Sequence, residues 1–217
     1  KSEFIITYIL SMAVNYHPNE VQFVLVDQEN GELVNTFDNK ELCIKLPHLV
    51  GTITDYNTNE LKRVLLALKL ELQRRKDIFN KIKDYVVDSN MDIYKYQSLY
   101  RQHKVKESLS HLIIVVDKYE ELKYTNPKFL QYLNNIVRMG RAYGFHIIYS
   151  SSDYVEDQIY SNSRFKINLN MKDGLERVSD VKESYLLNKA GRFYLQIGND
   201  ITTIGLTAFS RGKYYPS

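Results

Sequence analysis

Five branched apolar residues, Leu112 to Val116, follow His111 and stop at Asp117. A strand covered on both faces has no solvent side to make polar, so this run predicts the central strand of a parallel sheet. Val21-Gln22-Phe23-Val24-Leu25-Val26 predicts a second strand, again ending in an acid, Asp27. Phe145 to Tyr149 predicts a third, which runs into Ser150-Ser151-Ser152, and Leu46 to Ile53 a short fourth. Helical spacing fills the gaps. Phe4, Ile5, Ile6, Ile9, Leu10, Met12, Ala13 and Val14 form a wide stripe that Pro18 brings to a stop, because the residue before proline avoids the α region. Asn57 and Glu60 have capping-box spacing at the head of a long helix whose apolar face is Leu61, Leu65, Leu68, Leu72, Phe79, Ile82 and Val86. Asn126-Pro127 opens another helix that ends at Gly144. Asn30-Gly31 marks a turn, and residues Ser89 to Ser108 read as a polar, tyrosine-rich link, helical or irregular. Near the end, Phe165, Ile167 and Leu169 alternate with polar partners, while Arg192 to Ile197 and Ile201 to Ile204 flank Gly198-Asn199 as a hairpin. The predicted class is α/β, a mostly parallel sheet flanked by helices with an antiparallel C-terminal hairpin.

Composition changes this picture little. A chain of 217 residues with 44% apolar and 25% charged residues suits one globular domain spanning 1–217. A net charge of +3 with no Lys/Arg block gives no support to a nucleic-acid partner. Lys62, Lys69, Arg74, Lys76 and Lys83 make the long helix basic, but Glu60, Glu71, Asp77 and Asp84 interleave with them, which reads as a solvated face and not a membrane or DNA surface. The single cysteine, Cys43, excludes an internal disulfide framework and a Cys-rich metal site. No apolar run approaches the ~20 residues a membrane-spanning helix needs. Lys1-Ser2-Glu3 enters a helical pattern with no capping residue ahead of it, which leads us to expect a fragment of something longer.

The chemistry starts from the strand ends. In open α/β sheets ligands bind at the carboxyl edge, and an Asp there either holds magnesium in a nucleotide-hydrolysing fold or caps a turn; the residues alone leave both open for Asp117. Lys1-Ser2 at the start of an apolar helix, followed by strands ending in Asp27 and Asp117, outlines a P-loop nucleotide-binding fold. A Lys-Ser pair without glycines carries almost no specificity.

Longer segments carry more. Val21 to Asp27, Lys45-Leu46-Pro47-His48-Leu49-Val50-Gly51-Thr52-Ile53-Thr54, the Asp117 strand with Glu121-Leu122, Arg138-Met139-Gly140-Arg141-Ala142-Tyr143-Gly144-Phe145-His146, Asp157 to Lys166 and Gly191 to Gly198 resemble the FtsK/SpoIIIE ATPases. More narrowly they resemble the first of the tandem motor domains in the EssC/EccC ATPases of type VII secretion. The resemblance implies a RecA-like P-loop NTPase core, ATP and Mg2+ as ligands, and export of small helical substrates. It also implies a cytoplasmic domain of a cell-membrane protein in a Gram-positive bacterium. The implied partners are other ATPase domains of the same polypeptide and membrane components of the secretion system, with a hexamer of the full protein and an isolated domain that is monomeric. By the same pattern Lys1 and Ser2 would serve phosphate and magnesium, and Asp117 magnesium. Ser151, Ser152, Arg138, Arg141 and Arg164 are candidates for the nucleotide site or a neighbour's interface, although each arginine equally suits a salt bridge between helix and sheet.

The chain also departs from the pattern. Active relatives place a Glu directly after the strand-end Asp to orient the attacking water, and this position is Lys118. An ammonium cannot take a proton from water at neutral pH, and it competes with magnesium for Asp117. Glu121 matches a second family acid and is not expected to substitute. After Asp27 relatives have Tyr-Lys and a glycine triplet where this chain has Gln28-Glu29-Asn30-Gly31-Glu32, and after Tyr149 a Thr-Gln-Lys sensor where it has Ser151-Ser152-Asp153. The expectation is a degenerate ATPase domain with weak or absent hydrolysis. The competing expectations are an active FtsK-type DNA translocase or conjugative coupling ATPase, and a nucleotide-free docking domain.

Overall fold

A computed structural model describes residues 1–27, 31–83, 90–153, 155, 157–169, 190–198 and 200–210. The turn expected at Gln28 to Asn30, the helical continuation at Val86 and the hairpin residue Asn199 lie outside them. The chain divides into two compact units, Met12–Ser150 and Lys1–Ser11 with Ser151–Ser217.

The larger unit is built on a four-stranded parallel sheet. Its strands are β1 (Val21–Val26), β4 (Leu49–Ile53), β5 (His111–Val116) and β6 (Phe145–Tyr149), in the order β4-β1-β5-β6. The β1 and β5 runs are apolar on both faces because each lies between two neighbours and under helices, and almost every residue in them is buried. In register, Val26 pairs with Val116 and Val116 with Tyr149. Asp27, Asp117 and Ser150 therefore leave three adjacent strands at one edge.

Helix α1 (Ser2–Asn15) precedes β1, and α2 (Glu32–Phe37) follows it. The two-residue strands β2 (Asp38–Asn39) and β3 (Ile44–Lys45) pair antiparallel ahead of β4. The long helix α3 (Thr58–Lys83) begins where the capping box placed it, but only half of the box forms: Asn57 Oδ1 accepts from the Glu60 amide at 2.9 Å, while the Glu60 carboxylate turns to Arg63. Leu61, Leu68, Leu72 and Phe79 are buried along its inner face, and Arg75 sits on the same line.

The tyrosine-rich link holds α4 (Ile93–Arg101), capped by Asp92, whose side chain accepts from the Lys95 amide. Its Tyr96 is buried, stacks on Phe79 with ring centroids 5.3 Å apart and donates to the Glu107 carbonyl. Tyrosine here fills a core while its hydroxyl reaches a backbone acceptor. After β5 come α5 (Tyr119–Thr125), α6 (Pro127–Gly140) and a 3-10 turn (Arg141–Tyr143) closed by Gly144. Gly144 has φ +85, and an added Cβ would lie 2.8 Å from Ile93. Gly144→Ala is expected to cost about 1–2 kcal/mol in urea unfolding from the left-handed backbone alone; no measurable loss would show that the turn relaxes.

In the smaller unit, α7 (Asp157–Asn162) precedes an antiparallel sheet of β7 (Phe165–Leu169), β8 (Arg192–Ile197) and β9 (Asp200–Leu206), ordered β7-β8-β9. The expected hairpin is β8-β9, and the alternating segment joins it as a third strand. Gly205 is required there because Phe193 lies where its Cβ would be. Among the described residues, no helix is long and apolar enough to cross a membrane.

Candidate functional site

The carboxyl edge of the parallel sheet concentrates the chemistry of the larger unit. Asp27 and Asp117 stand at neighbouring strand ends and are only 2% and 3% exposed. Their peptide groups continue the ladder, with the Asp27 amide donating to Ile53 and the Asp117 amide to Val26. Their side chains differ. Asp27 Oδ2 accepts from the Leu33 amide at 2.9 Å, and the Val34 amide also donates to this carboxylate. A left-handed Gly31 turns the chain into α2 so that these amides face back to the strand end. Burial pushes the Asp27 carboxyl above the usual range, the two amides pull it back, and the charge of Asp117 adds to the upward push.

Asp117 Oδ1 accepts from the amide of Lys118 at 3.0 Å. Lys118 has φ 52 and ψ 54, a left-handed conformation uncommon outside glycine, and it is the residue before the first turn of α5. Its ammonium lies 3.6 Å from Glu121 Oε1, one helical turn on, and its charge is felt at Asp27. The residue directly after Asp117 is therefore a cation paired with Glu121. Ser150, at the end of β6, was not anticipated: it is 7% exposed and its hydroxyl has no hydrogen-bond partner. The signal was available, since it directly follows an apolar strand next to the Asp117 strand.

In the smaller unit two other candidates meet. Lys1 Nζ donates to Ser152 Oγ at 3.1 Å, joining positions 151 residues apart. Ser151 instead closes a local turn with Asp153, accepting from its amide at 3.1 Å. Ser2 is the first residue of α1 and half-buried. Arg164 is exposed and stacks over Phe165. Arg138 and Arg141 are exposed at the end of α6, just before β6 begins, and so lie at the amino edge of the parallel sheet, opposite the edge that carries Asp117.

That amino edge holds groups the sequence reading missed. Arg75, 2% exposed, donates from Nη1 to the carbonyls of Ser110 and Tyr143, each at 2.7 Å, and from Nε to Glu71 at 2.8 Å. His111 Nδ1 and His146 Nε2 are 2.9 Å apart across β5 and β6, with Tyr94 over the His111 ring. These are ties between elements and not a ligand site. Among the described residues, no group of three His, Cys, Asp or Glu side chains is placed to hold a metal ion.

An open parallel sheet with paired acids at its carboxyl edge defines an α/β fold of the ligand-binding kind. The profile of the FtsK/SpoIIIE family matches residues 1–154. The chain is 38% identical over 222 residues to the ESX secretion system protein YukB of Bacillus subtilis, an alignment covering 99% of this chain and 14% of that protein. It is 37% identical over 220 residues to the type VII secretion system protein EssC of Staphylococcus aureus, with the same coverage of 99% and 14%. Among solved structures, the cytoplasmic domain of the Thermomonospora curvata type VII secretion ATPase EccC is similar in fold, with a TM-score of 0.79 at 24% identity, over 99% of this chain and 25% of that one. The chain belongs to the FtsK/SpoIIIE family. It spans about one seventh of the length of the curated relatives it matches.

Proposed function

We propose that this chain is an ATPase-type domain of a type VII secretion protein in which hydrolysis is weak or absent, acting by its position among other ATPase domains of a longer polypeptide. Family membership and the names of the relatives support the setting. The observation that carries the loss of hydrolysis is Lys118, an ammonium 3.6 Å from Glu121 at the position next to Asp117 where a water-orienting acid would stand. Losing a positioned base typically costs 10²–10⁴ in rate. We assign Lys1 to a nucleotide's phosphates, with Ser152 beside it, and Ser2 to the nucleotide's magnesium. In this reading the longer protein is membrane-anchored in a Gram-positive bacterium and assembles as a hexamer, and its exported cargo is small and helical.

The test is turnover of the domain in its own longer polypeptide. Phosphate release is expected to stay at the level of a Lys1→Ala control, and Lys118→Glu alone is expected to leave it there, because the loops after Asp27 and Tyr149 also depart from the active pattern. Clear magnesium-dependent hydrolysis that Lys1→Ala removes defeats the proposal. Titration with a fluorescent ATP analogue separates a nucleotide-binding domain, which saturates, from a docking domain that has lost nucleotide altogether.

A further inference from the structure

We propose that Lys118 is the resident cation of the carboxyl edge, occupying by its charge the role a divalent ion would otherwise have beside Asp117, so that this edge takes no magnesium. The proposal rests on and deepens the functional reading given above, adding to the missing water-orienting acid an edge that holds no metal.

The donor set does not fit magnesium. That ion requires near-octahedral oxygen ligands at close range and keeps several waters, usually with one or two carboxylates. Here Asp27 and Asp117 are almost wholly buried, and each carboxylate already accepts backbone amides. The Leu33 and Val34 amides are directed at Asp27, and the Lys118 amide at Asp117 Oδ1. Each of these N–H groups takes up one of the roughly four lone-pair sites of its carboxylate and leaves fewer for a metal. The third acid, Glu121, faces the Lys118 ammonium. Asp27, Asp117 and Glu121 thus each have a donor supplied by the chain, and a divalent ion at this edge would meet a like charge in the Lys118 ammonium.

The backbone supports the assignment. Lys118 adopts a left-handed conformation that any side chain but glycine or asparagine resists, and this turn sends its side chain along the first turn of α5 to Glu121. Glycine would relieve that strain but carry no charge.

Manganese, as a paramagnetic stand-in for magnesium, tests the idea on the whole 217-residue chain without nucleotide. Wild-type protein is expected to show no saturable Mn2+ binding by electron paramagnetic resonance. Lys118→Asn, which tolerates the left-handed backbone, is expected to gain a site on the order of tenfold tighter, because a like charge is removed from a partly solvated edge. The gain should vanish in the Lys118→Asn/Asp117→Asn double variant. Lys118→Arg, which keeps the charge, should stay silent. Saturable binding in the wild type that Asp117→Asn abolishes overturns the proposal, as does a folded Lys118→Asn that gains nothing, or an equal gain in Lys118→Arg. Turnover plays no part in this measurement, so a hydrolysing wild type would remove the functional reading while leaving this one to the titration.

Discussion

Arg75→Met is expected to lower the stability of the larger unit by about 3–5 kcal/mol, the largest effect of any single substitution considered for this chain. Among the described residues, Arg75 is the one buried cation on the apolar line of α3, between Leu72 and Phe79. Its guanidinium joins three segments that are far apart in sequence: it reaches Ser110 at the entrance to β5, Tyr143 in the 3-10 turn before β6, and Glu71 on its own helix. It also stacks on Phe145, 5.1 Å from the ring centroid. Methionine keeps most of the volume and none of the donors. The buried Ser110 carbonyl and the part-buried Tyr143 carbonyl then lose a charge-assisted partner, each worth roughly 1–3 kcal/mol, while Glu71 keeps Arg74 at 2.7 Å. Lysine is not expected to rescue, since one ammonium cannot span a planar fork. Urea unfolding measures it. A loss below about 1 kcal/mol for a cooperatively folding variant would show that the three segments are held by packing and not by the guanidinium.

The second large effect is a loss of stability in mild acid. Burial, then the neighbouring His146 and Arg75, push the His111 ring from 6.5 down to about 4, with Glu20 opposing. His146 is lowered as well, by burial and by Arg141 and Arg75. The folded state therefore favours neutral rings that share one proton across 2.9 Å, while the unfolded chain takes up protons near 6.5. Stability from this pair is fully present above pH 6.5 and is lost as the pH falls toward about 4. Full burial would make the His111 shift worth about 3 kcal/mol; the ring is partly solvated, so about 2 kcal/mol is expected after screening. His111→Gln, which can still hydrogen-bond to His146, should flatten the pH dependence in that window. Equal slopes for variant and wild type would assign acid lability to carboxylates elsewhere.

Both effects come from ties that a linear pattern hides. The strands were legible because branched apolar runs ending in Asp27, Asp117 and Ser150 have one good use, a sheet buried on both faces. The two histidines were legible as residues near strand starts but not as a pair, because their closeness depends on β5 and β6 being neighbours with Leu112 opposite Phe145. Helix α2 follows the expected turn and has no counterpart in the pattern. It exists because Gly31 turns left-handed and its first amides find the Asp27 carboxylate, a partner on the preceding strand. Arg75 had a visible signal: a cation in step with Leu68, Leu72 and Phe79 must be paired if the helix is packed. The candidates Arg138 and Arg141 were placed by motif, and the direction of α6 carries them to the amino edge of the sheet.

Sequence by itself determined the α/β class, the two acids at strand ends and the lysine that follows the second, because strand periodicity and the residue after a strand are local properties. Only the tertiary structure decided which acids stand together and how deeply: Asp27 and Asp117 leave neighbouring strands at one edge, each almost wholly buried. Both features depend on strand register and on the desolvation that packing imposes, and neither is set by the neighbours of a residue in the chain.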